Sequence, residues 1–369
     1  MDGTENRTET GSSTRWPVRS DLKAMPGYHS PQVDVSVRLN TNESPVEPPQ
    51  ELVDAIAAEV RAIAWNRYPD RRAGELRAAL AALHGVSANN VFVANGSNEV
   101  IQALLLAYAG PQRKVLTFEP TYQLHSHIAR ITGSQLVNVD RDDDFRLSAA
   151  TVEKACREHA PAVTFLCSPN NPTAMSEEPA AISAALAHTP GIVVVDEAYA
   201  QFSRFTALDL VSDDARLVVT RTFSKTWSMA AARLGYLIGP EWLVDDLDIV
   251  TLPYHLDALK QRVGVLSLRH VTEMELAVAM IVAERERMAA AMARLALTVW
   301  PSEANFILFR PQHGTGPDLW NALLAEGILV RDCGSWPRLT NCLRVTVGTA
   351  DENSRFLRAL GNCVRGGRE

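Results

Sequence analysis

Lys225 stands in an unusual setting for a lysine. It closes the run Arg221-Thr222-Phe223-Ser224-Lys225, directly after the apolar stretch Leu217-Val218-Val219-Thr220, and it precedes Trp227, Met229 and several alanines. The other lysines, Lys23, Lys114, Lys154 and Lys260, have charged or polar neighbours, as surface lysines do. An amine among apolar groups is partly desolvated, so its pKa falls and it becomes nucleophilic. The chemistry open to it is a Schiff base with a carbonyl, and pyridoxal phosphate is the commonest protein-bound aldehyde. Taken alone, a lysine after a strand is more often a solvated loop residue, so the rest of the chain has to decide.

A site for that aldehyde has further needs, and the chain offers a residue for each. Asp196, at the end of Ile192-Val193-Val194-Val195, is a carboxylate suited to keep a pyridine nitrogen protonated, although a helix cap or a loop ion pair would use the same residue. Tyr199 and Asn171 can donate to the ring's phenolic oxygen, and Tyr122 can cover a ring face or simply pack. Gly96-Ser97-Asn98 opens a helical pattern, and helix N-termini bind anions through unpaired N–H groups and the helix dipole. Ser224 and Arg233 can complete a phosphate cage.

These residues must be held by something, and the pattern around them says what. Short apolar runs recur at Val91–Ala94, Lys114–Phe118, Gln135–Val139, Ala162–Cys167, Ile192–Val195, Leu217–Thr220 and Tyr236–Ile238. Amphipathic stretches such as Glu99–Tyr108, Thr151–His159 and Ala180–His188 lie between them. Continuous apolar strands alternating with helices predict an α/β fold around a mostly parallel sheet buried on both faces. Ligands bind at the carboxyl ends of such strands. Here those ends read Asn95-Gly96-Ser97-Asn98-Glu99, Glu119-Pro120-Thr121-Tyr122, Ser168-Pro169-Asn170-Asn171, Asp196-Glu197-Ala198-Tyr199 and Arg221 to Lys225. From Tyr254 onward the pattern changes. A long helix is expected over Glu273–Ala296, strands over Asn305–Phe309 and Leu343–Val347, and helices over Pro317–Glu326 and Glu352–Leu360, which together suggest a smaller α+β unit.

At 369 residues and 46% hydrophobic composition the chain is of ordinary globular type, with room for about two domains. The net charge of −7 gives no reason to expect nucleic acid or an anionic membrane as partner. Five cysteines without a C-x-x-C pair favour neither a zinc site nor a disulfide framework. Met1–Arg15 is polar, unlike a signal peptide, and reads as a disordered tail. No apolar run approaches the ~18 residues of a membrane span, so a cytoplasmic enzyme is expected. No G-x-G-x-x-G or G-x-S-x-G occurs, which argues against a nicotinamide dehydrogenase or a serine hydrolase. His125-Ser126-His127 lacks acidic or cysteine partners at ligand spacing and reads as surface histidines rather than a metal site.

The chain resembles the fold-type-I, pyridoxal-phosphate-dependent aminotransferases, and within them the histidinol-phosphate aminotransferases of actinobacterial type. The resemblance runs from about Tyr28 to the last helix. Besides the strand ends above, it rests on Leu39-Asn40-Thr41-Asn42-Glu43, Asn66-Arg67-Tyr68-Pro69-Asp70, Pro172-Thr173, Ala232-Arg233-Leu234-Gly235-Tyr236, Leu252-Pro253-Tyr254-His255-Leu256 and Ser302-Glu303-Ala304-Asn305-Phe306. It implies a large three-layer cofactor domain over 49–260 and a small α+β domain over 261–369. An N-terminal arm over 16–48 would pack with the small domain, after the tail over 1–15. It implies that Lys225 binds the cofactor and shuttles a proton, that Asp196 pairs with the pyridinium, and that Tyr199 and Asn171 hold the phenolic oxygen. Ser97, Asn98, Ser224 and Arg233 would grip the phosphate, with Tyr122 at the ring. Tyr68 would reach the cofactor phosphate of a neighbouring subunit, which implies a homodimer with shared sites. Arg344, Arg331, Tyr28, Asn42 and Tyr254 would serve the substrates, histidinol phosphate and 2-oxoglutarate or glutamate. An aromatic aminotransferase and a threonine-phosphate decarboxylase share much of the pattern and stand as alternatives. The sequence departs from the family at Ala174, where glycine is usual, at Thr226-Trp227 with Met229-Ala230-Ala231, and at Gly334-Ser335-Trp336-Pro337-Arg338. Trp227 would be placed to reshape the pocket.

Overall fold

The structure is a computed structural model that describes residues 16–23, 25, 27 and 33–366. Tyr28 and the tail Met1–Arg15 lie outside the described residues. The chain divides into two compact units, Met1–Ser30 and Pro31–Glu369. In the first, a turn closes with Leu22 N donating to Arg19 O at 3.0 Å, and Arg19 pairs with Asp21 at 2.6 Å.

The second unit begins with β1 (Val37–Leu39), α1 (Gln50–Ala62), α2 (Gly74–His84), β2 (Val91–Ala94), α3 (Ser97–Tyr108), β3 (Lys114–Glu119), α4 (Gln123–Ile131) and β4 (Gln135–Asp140). It continues through α5 (Ala149–His159), β5 (Val163–Cys167), α6 (Pro179–His188), β6 (Ile192–Asp196), β7 (Leu217–Thr222), β8 (Gly235–Ile238), α7 (Glu241–Val250) and α8 (Ala258–Ser267). The last elements are α9 (Val271–Met292), β9 (Leu297–Val299), β10 (Phe306–Pro311), α10 (Gly316–Ala325), β11 (Ile328–Asp332), β12 (Leu343–Thr346) and α11 (Ala350–Gly366).

Seven strands form the larger sheet in the order β2-β8-β7-β6-β5-β3-β4. The pairs β3–β4, β3–β5, β5–β6 and β6–β7 are parallel, and β8 runs antiparallel to both β7 and β2. The β7 and β6 runs show why their residues are apolar without interruption. Val193, Val195, Leu217 and Val219 pack on one face with Leu147, Val152 and Ile182. Ile192, Val194 and Val218 pack on the other with Ile101, Leu105, Ile128 and Leu247. Side chains alternate between faces along a strand, and here both faces are covered by helices. Each fully buried valine or leucine contributes about 1.5–3 kcal/mol of apolar transfer. A single reversed strand leaves the carboxyl ends of β2, β3, β5, β6 and β7 at one edge.

The smaller sheet has the order β1-β11-β12-β10-β9. β1 joins it parallel to β11, with Leu39 opposite Val330, so the chain segment before α1 is held by residues nearly 300 positions later. β11 and β12 are antiparallel, and Arg331 lies directly opposite Arg344. α9 begins at Val271 and ends at Met292, four residues short of the expected end at Ala296, because Ala293 to Leu295 turn the chain into β9.

Candidate active site

Asp196 ends β6 at the centre of the large sheet, with Cys167 of β5 beside it on one side and Thr220 of β7 on the other. It is 2% exposed. A buried carboxylate needs partners to stay ionised. One oxygen accepts the Ala198 amide at 3.2 Å, and the other lies 2.9 Å from His125 Nε2. His125 is therefore not a surface histidine. It sits on the inner face of α4, fully buried, with its ring stacked on Phe165 at 4.5 Å and edge-on to Tyr122 at 5.4 Å. His125 and Asp196 form the only partnership for either ring nitrogen, since Nδ1 has no partner among the described residues. No group of three metal-binding side chains occurs among the described residues.

Lys225 follows β7 by three residues and is partly buried. Its Nζ donates to Asn42 O at 2.8 Å and Thr41 O at 3.1 Å, and lies 5.8 Å from the centre of the Tyr199 ring. Burial, then the positive field of Arg344, pushes its pKa down to about 7. That is the nucleophilic amine expected from its sequence setting.

Asn42 is the hub between the two sheets, a role the sequence motif alone did not reveal. Its φ of 56° lies in the left-handed region, which asparagine tolerates better than most residues. Its side chain donates to Tyr199 Oη at 2.9 Å and accepts from Thr346 Oγ1 at 3.1 Å. Its carbonyl accepts from Lys225 and from Asn305 Nδ2 at 3.2 Å. Tyr199 is 4% exposed, and burial drives its phenol pKa well up, so the hydroxyl keeps its proton. Asn171 is also buried, with its oxygen accepting from Arg344 Nη1 at 2.6 Å.

An anion cradle lies at the β2–α3 turn. Gly96 has φ 82°, and a Cβ there would come within 2.8 Å of the Arg233 guanidinium. A Cβ on Gly235 would come within 2.3 Å of the Ser97 amide nitrogen. Both glycines thus let the start of α3, Arg233 and β8 approach closely. Arg233 Nη1 donates to Ser224 Oγ at 3.2 Å, and Tyr122 Oη donates to Asn98 Oδ1 at 3.2 Å. Ser97, Asn98, Tyr122, Ser224 and Arg233, far apart in sequence, meet through these contacts around one helix N-terminus. The fit to a phosphorylated aldehyde is good: an amine of lowered pKa, a buried carboxylate and an open N–H cradle converge on one sheet edge.

Arg331 and Arg344 share one face of the small sheet, 8% and 5% exposed. Arg344 donates to Asn171 and to Asn40 O at 2.9 Å, and its guanidinium carbon lies 5.1 Å from the Phe306 ring centre. Its Nε is buried with no hydrogen-bond partner among the described residues. Tyr68 is 80% exposed and stacks on Tyr254, with centroids 4.5 Å apart. The pair lies on the surface, and Tyr254 has φ 61°. Among the departures, Ala174 does adopt the glycine-favouring conformation, with φ 65°. Trp227 packs in a core cluster with Phe223, Leu52 and Met229, and it also lines a cavity with Thr226, Ser228 and His270.

Residues 35–360 match the family model of aminotransferase class I and II. The chain is 45% identical over 365 residues to a histidinol-phosphate aminotransferase of Frankia casuarinae, covering 95% of this chain and 91% of that one. It is 45% identical over 356 residues to a histidinol-phosphate aminotransferase of Thermobifida fusca, covering 93% and 94%. A crystal structure of the Sinorhizobium meliloti histidinol-phosphate aminotransferase in complex with pyridoxal-5'-phosphate has the same fold, with a TM-score of 0.87 at 20% identity, covering 96% of this chain and 99% of that one.

Proposed function

We infer the activity from one premise: this chain belongs to the class I and II aminotransferases. It is a pyridoxal-phosphate-dependent transaminase. Its reaction exchanges an amino group between histidinol phosphate and 2-oxoglutarate, giving imidazole acetol phosphate and glutamate in histidine biosynthesis. The names of the relatives at 45% identity favour this over an aromatic aminotransferase or a threonine-phosphate decarboxylase.

When bound, pyridoxal phosphate supplies an aldehyde for the amino group and a ring that draws electrons from the carbon losing its proton. The chain's own residues take the remaining tasks. Lys225 Nζ holds the cofactor and then carries the proton to and from the substrate carbon. Asp196, fixed by His125 and the Ala198 amide, keeps the ring nitrogen protonated. Tyr199 and Asn171 hold the phenolic oxygen, and Tyr122 lies against the ring. The Ser97 and Asn98 amides, Ser224 and Arg233 grip the phosphate. Residues 49–260 serve as the cofactor domain and 261–369 as the small domain, and Asn42, which precedes both, is hydrogen-bonded to Tyr199 of the one and Thr346 of the other. The enzyme works in the cytoplasm as a homodimer in which Tyr68, stacked on Tyr254, serves the neighbour's site. A fully active monomer in sedimentation would contradict the shared site.

The observation that carries the substrate reading is the cross-strand pair of buried arginines. Like charges directly opposite each other on a sheet destabilise it. The hydrogen-bond acceptors of Arg344 among the described residues are neutral, which leaves a buried cation suited to an anionic substrate group. Guanidinium forks suit carboxylates and phosphates in a planar geometry that lysine cannot copy. Arg344 takes the glutamate carboxylate, and Arg331 takes the phosphate of the amine. Arg331→Ala is expected to raise KM for histidinol phosphate far more than for phenylalanine, by on the order of 2–5 kcal/mol for a desolvated ion pair. Equal effects on the two amines in steady-state kinetics would sink the phosphate assignment.

A further inference from the structure

Three buried side chains link the smaller sheet to the phenol of Tyr199, and their donor and acceptor roles follow one from another. The Asn42 backbone N–H donates to Thr346 Oγ1 at 3.0 Å. A backbone N–H cannot accept, so the threonine oxygen accepts there and its own hydrogen points elsewhere. It points to Asn42 Oδ1, at 3.1 Å. That bond fixes the carboxamide, with Oδ1 toward Thr346 and Nδ2 toward Tyr199. Nδ2 donates to Tyr199 Oη at 2.9 Å. The tyrosine oxygen is therefore the acceptor in this bond, and its proton is left for another partner. No acceptor for that proton stands among the described residues. Asn42, Thr346 and Tyr199 are all buried. The Tyr199 ring is held edge-on by Phe306, with centroids 5.0 Å apart, so rotation of the hydroxyl is the freedom left to set. The backbone of Asn42 is tied down separately, its carbonyl accepting from Asn305 Nδ2 at 3.2 Å.

We propose that Asn42 is a positioning residue for Tyr199: with Thr346 behind it, Asn42 fixes the direction in which the phenol donates its proton, toward the phenolic oxygen of the bound cofactor. The inference rests on the reading of Tyr199 as a donor to that oxygen. A hydroxyl that already accepts a hydrogen bond is also a stronger donor, because bonds in a chain polarise one another. Without Asn42 the hydroxyl turns freely and donates less well. The cofactor's phenolic oxygen is then less stabilised as an anion and becomes more basic. The proton it shares with the nitrogen joined to Lys225 is held up to a higher pH. Thr346 acts one step further back, by ordering the two ends of the Asn42 carboxamide.

The test is the pH midpoint at which the visible absorption of the bound cofactor titrates, measured on the holoenzyme and its variants beside the melting temperature of each apoprotein. Tyr199→Phe removes the donor and should raise the midpoint by about 1–2 units, as the loss of a hydrogen bond to a charged group implies. Asn42→Gly removes only the side chain, since the φ of 56° suits glycine, and should raise the midpoint by about 0.5–1 unit. The double variant should titrate with Tyr199→Phe, because Asn42 acts through the hydroxyl that is then gone. Thr346→Val should shift the midpoint in the same direction as Asn42→Gly, and Thr346→Ser, which keeps the hydroxyl, should titrate with the unaltered enzyme. Should Asn42→Gly fail to fold, the two Thr346 variants decide alone, and equal midpoints in them overturn the proposal. A merely structural Asn42 lowers the melting temperature and leaves the midpoint in place. If Tyr199→Phe does not move the midpoint, the reading of Tyr199 itself fails. If it does and Asn42→Gly does not, or if the double variant shifts beyond Tyr199→Phe, this inference alone fails.

Discussion

Replacing Lys225 by alanine is expected to abolish the yellow colour of the purified protein and nearly all of its turnover. The side chain has two tasks, anchoring the cofactor and moving a proton, and the lysine bonded beside the β2–α3 turn is otherwise engaged. Lys260 is occupied with Asn95 Oδ1 at 2.7 Å and Asp257 at 3.1 Å. Borohydride reduction followed by peptide mapping should place the cofactor on Lys225 alone. Uptake of cofactor by the apoprotein also has an expected pH dependence. The amine's pKa lies at about 7 in the folded chain, below the ordinary 10.5. The neutral form therefore prevails above about pH 7, and uptake should slow as pH falls through that value. The same depression means that the unfolded chain binds the extra proton between the two values. Stability from this group is thus present above the ordinary pKa and is lost as pH falls toward 7. An alanine variant with ordinary activity would end the assignment of Lys225.

The second large effect is expected at Asp196. Asp196→Asn keeps the shape and can keep a hydrogen bond to His125, but it removes the charge that favours a protonated ring nitrogen. Turnover should fall by about 10²–10⁴, the range of single acid–base and electrostatic contributions, while cofactor affinity falls less. Spectrophotometric titration of the variant with pyridoxal phosphate, set beside its kcat, makes the comparison. A loss of less than about tenfold would reduce Asp196 to a structural residue.

Much of this site was legible in the sequence because parallel strands end in the same place. Runs such as Ile192 to Val195 and Leu217 to Thr220 are apolar at every position, which only a two-sided sheet explains. Once those strands are read, Asp196, Asn171, Ser97 and Lys225 must gather at one edge. What stayed hidden depends on contacts that no local pattern carries. β11 offers only Ile328, Leu329 and Val330 before Arg331, too little to read as a strand, so the register that sets Arg331 against Arg344 was invisible. β1 is three residues long and owes its existence to β11. Asn42 meets Thr346 across 304 positions of chain. His125 was misread because a histidine pair suggests a solvated surface. The available signal was its spacing, three and four residues before Ile128 and Ala129, which puts all three on the buried face of α4.

The central claim is that this transaminase acts on a phosphorylated amine. The most direct measurement is kcat/KM of the holoenzyme for histidinol phosphate, phenylalanine and threonine phosphate, each with 2-oxoglutarate as acceptor. The account predicts that histidinol phosphate leads phenylalanine by at least about 30-fold, the lower end of what a desolvated phosphate–arginine pair supplies, and that it also leads threonine phosphate, with glutamate as the product. Phenylalanine turned over as well as histidinol phosphate, or carbon dioxide released from threonine phosphate as the main reaction, would contradict it.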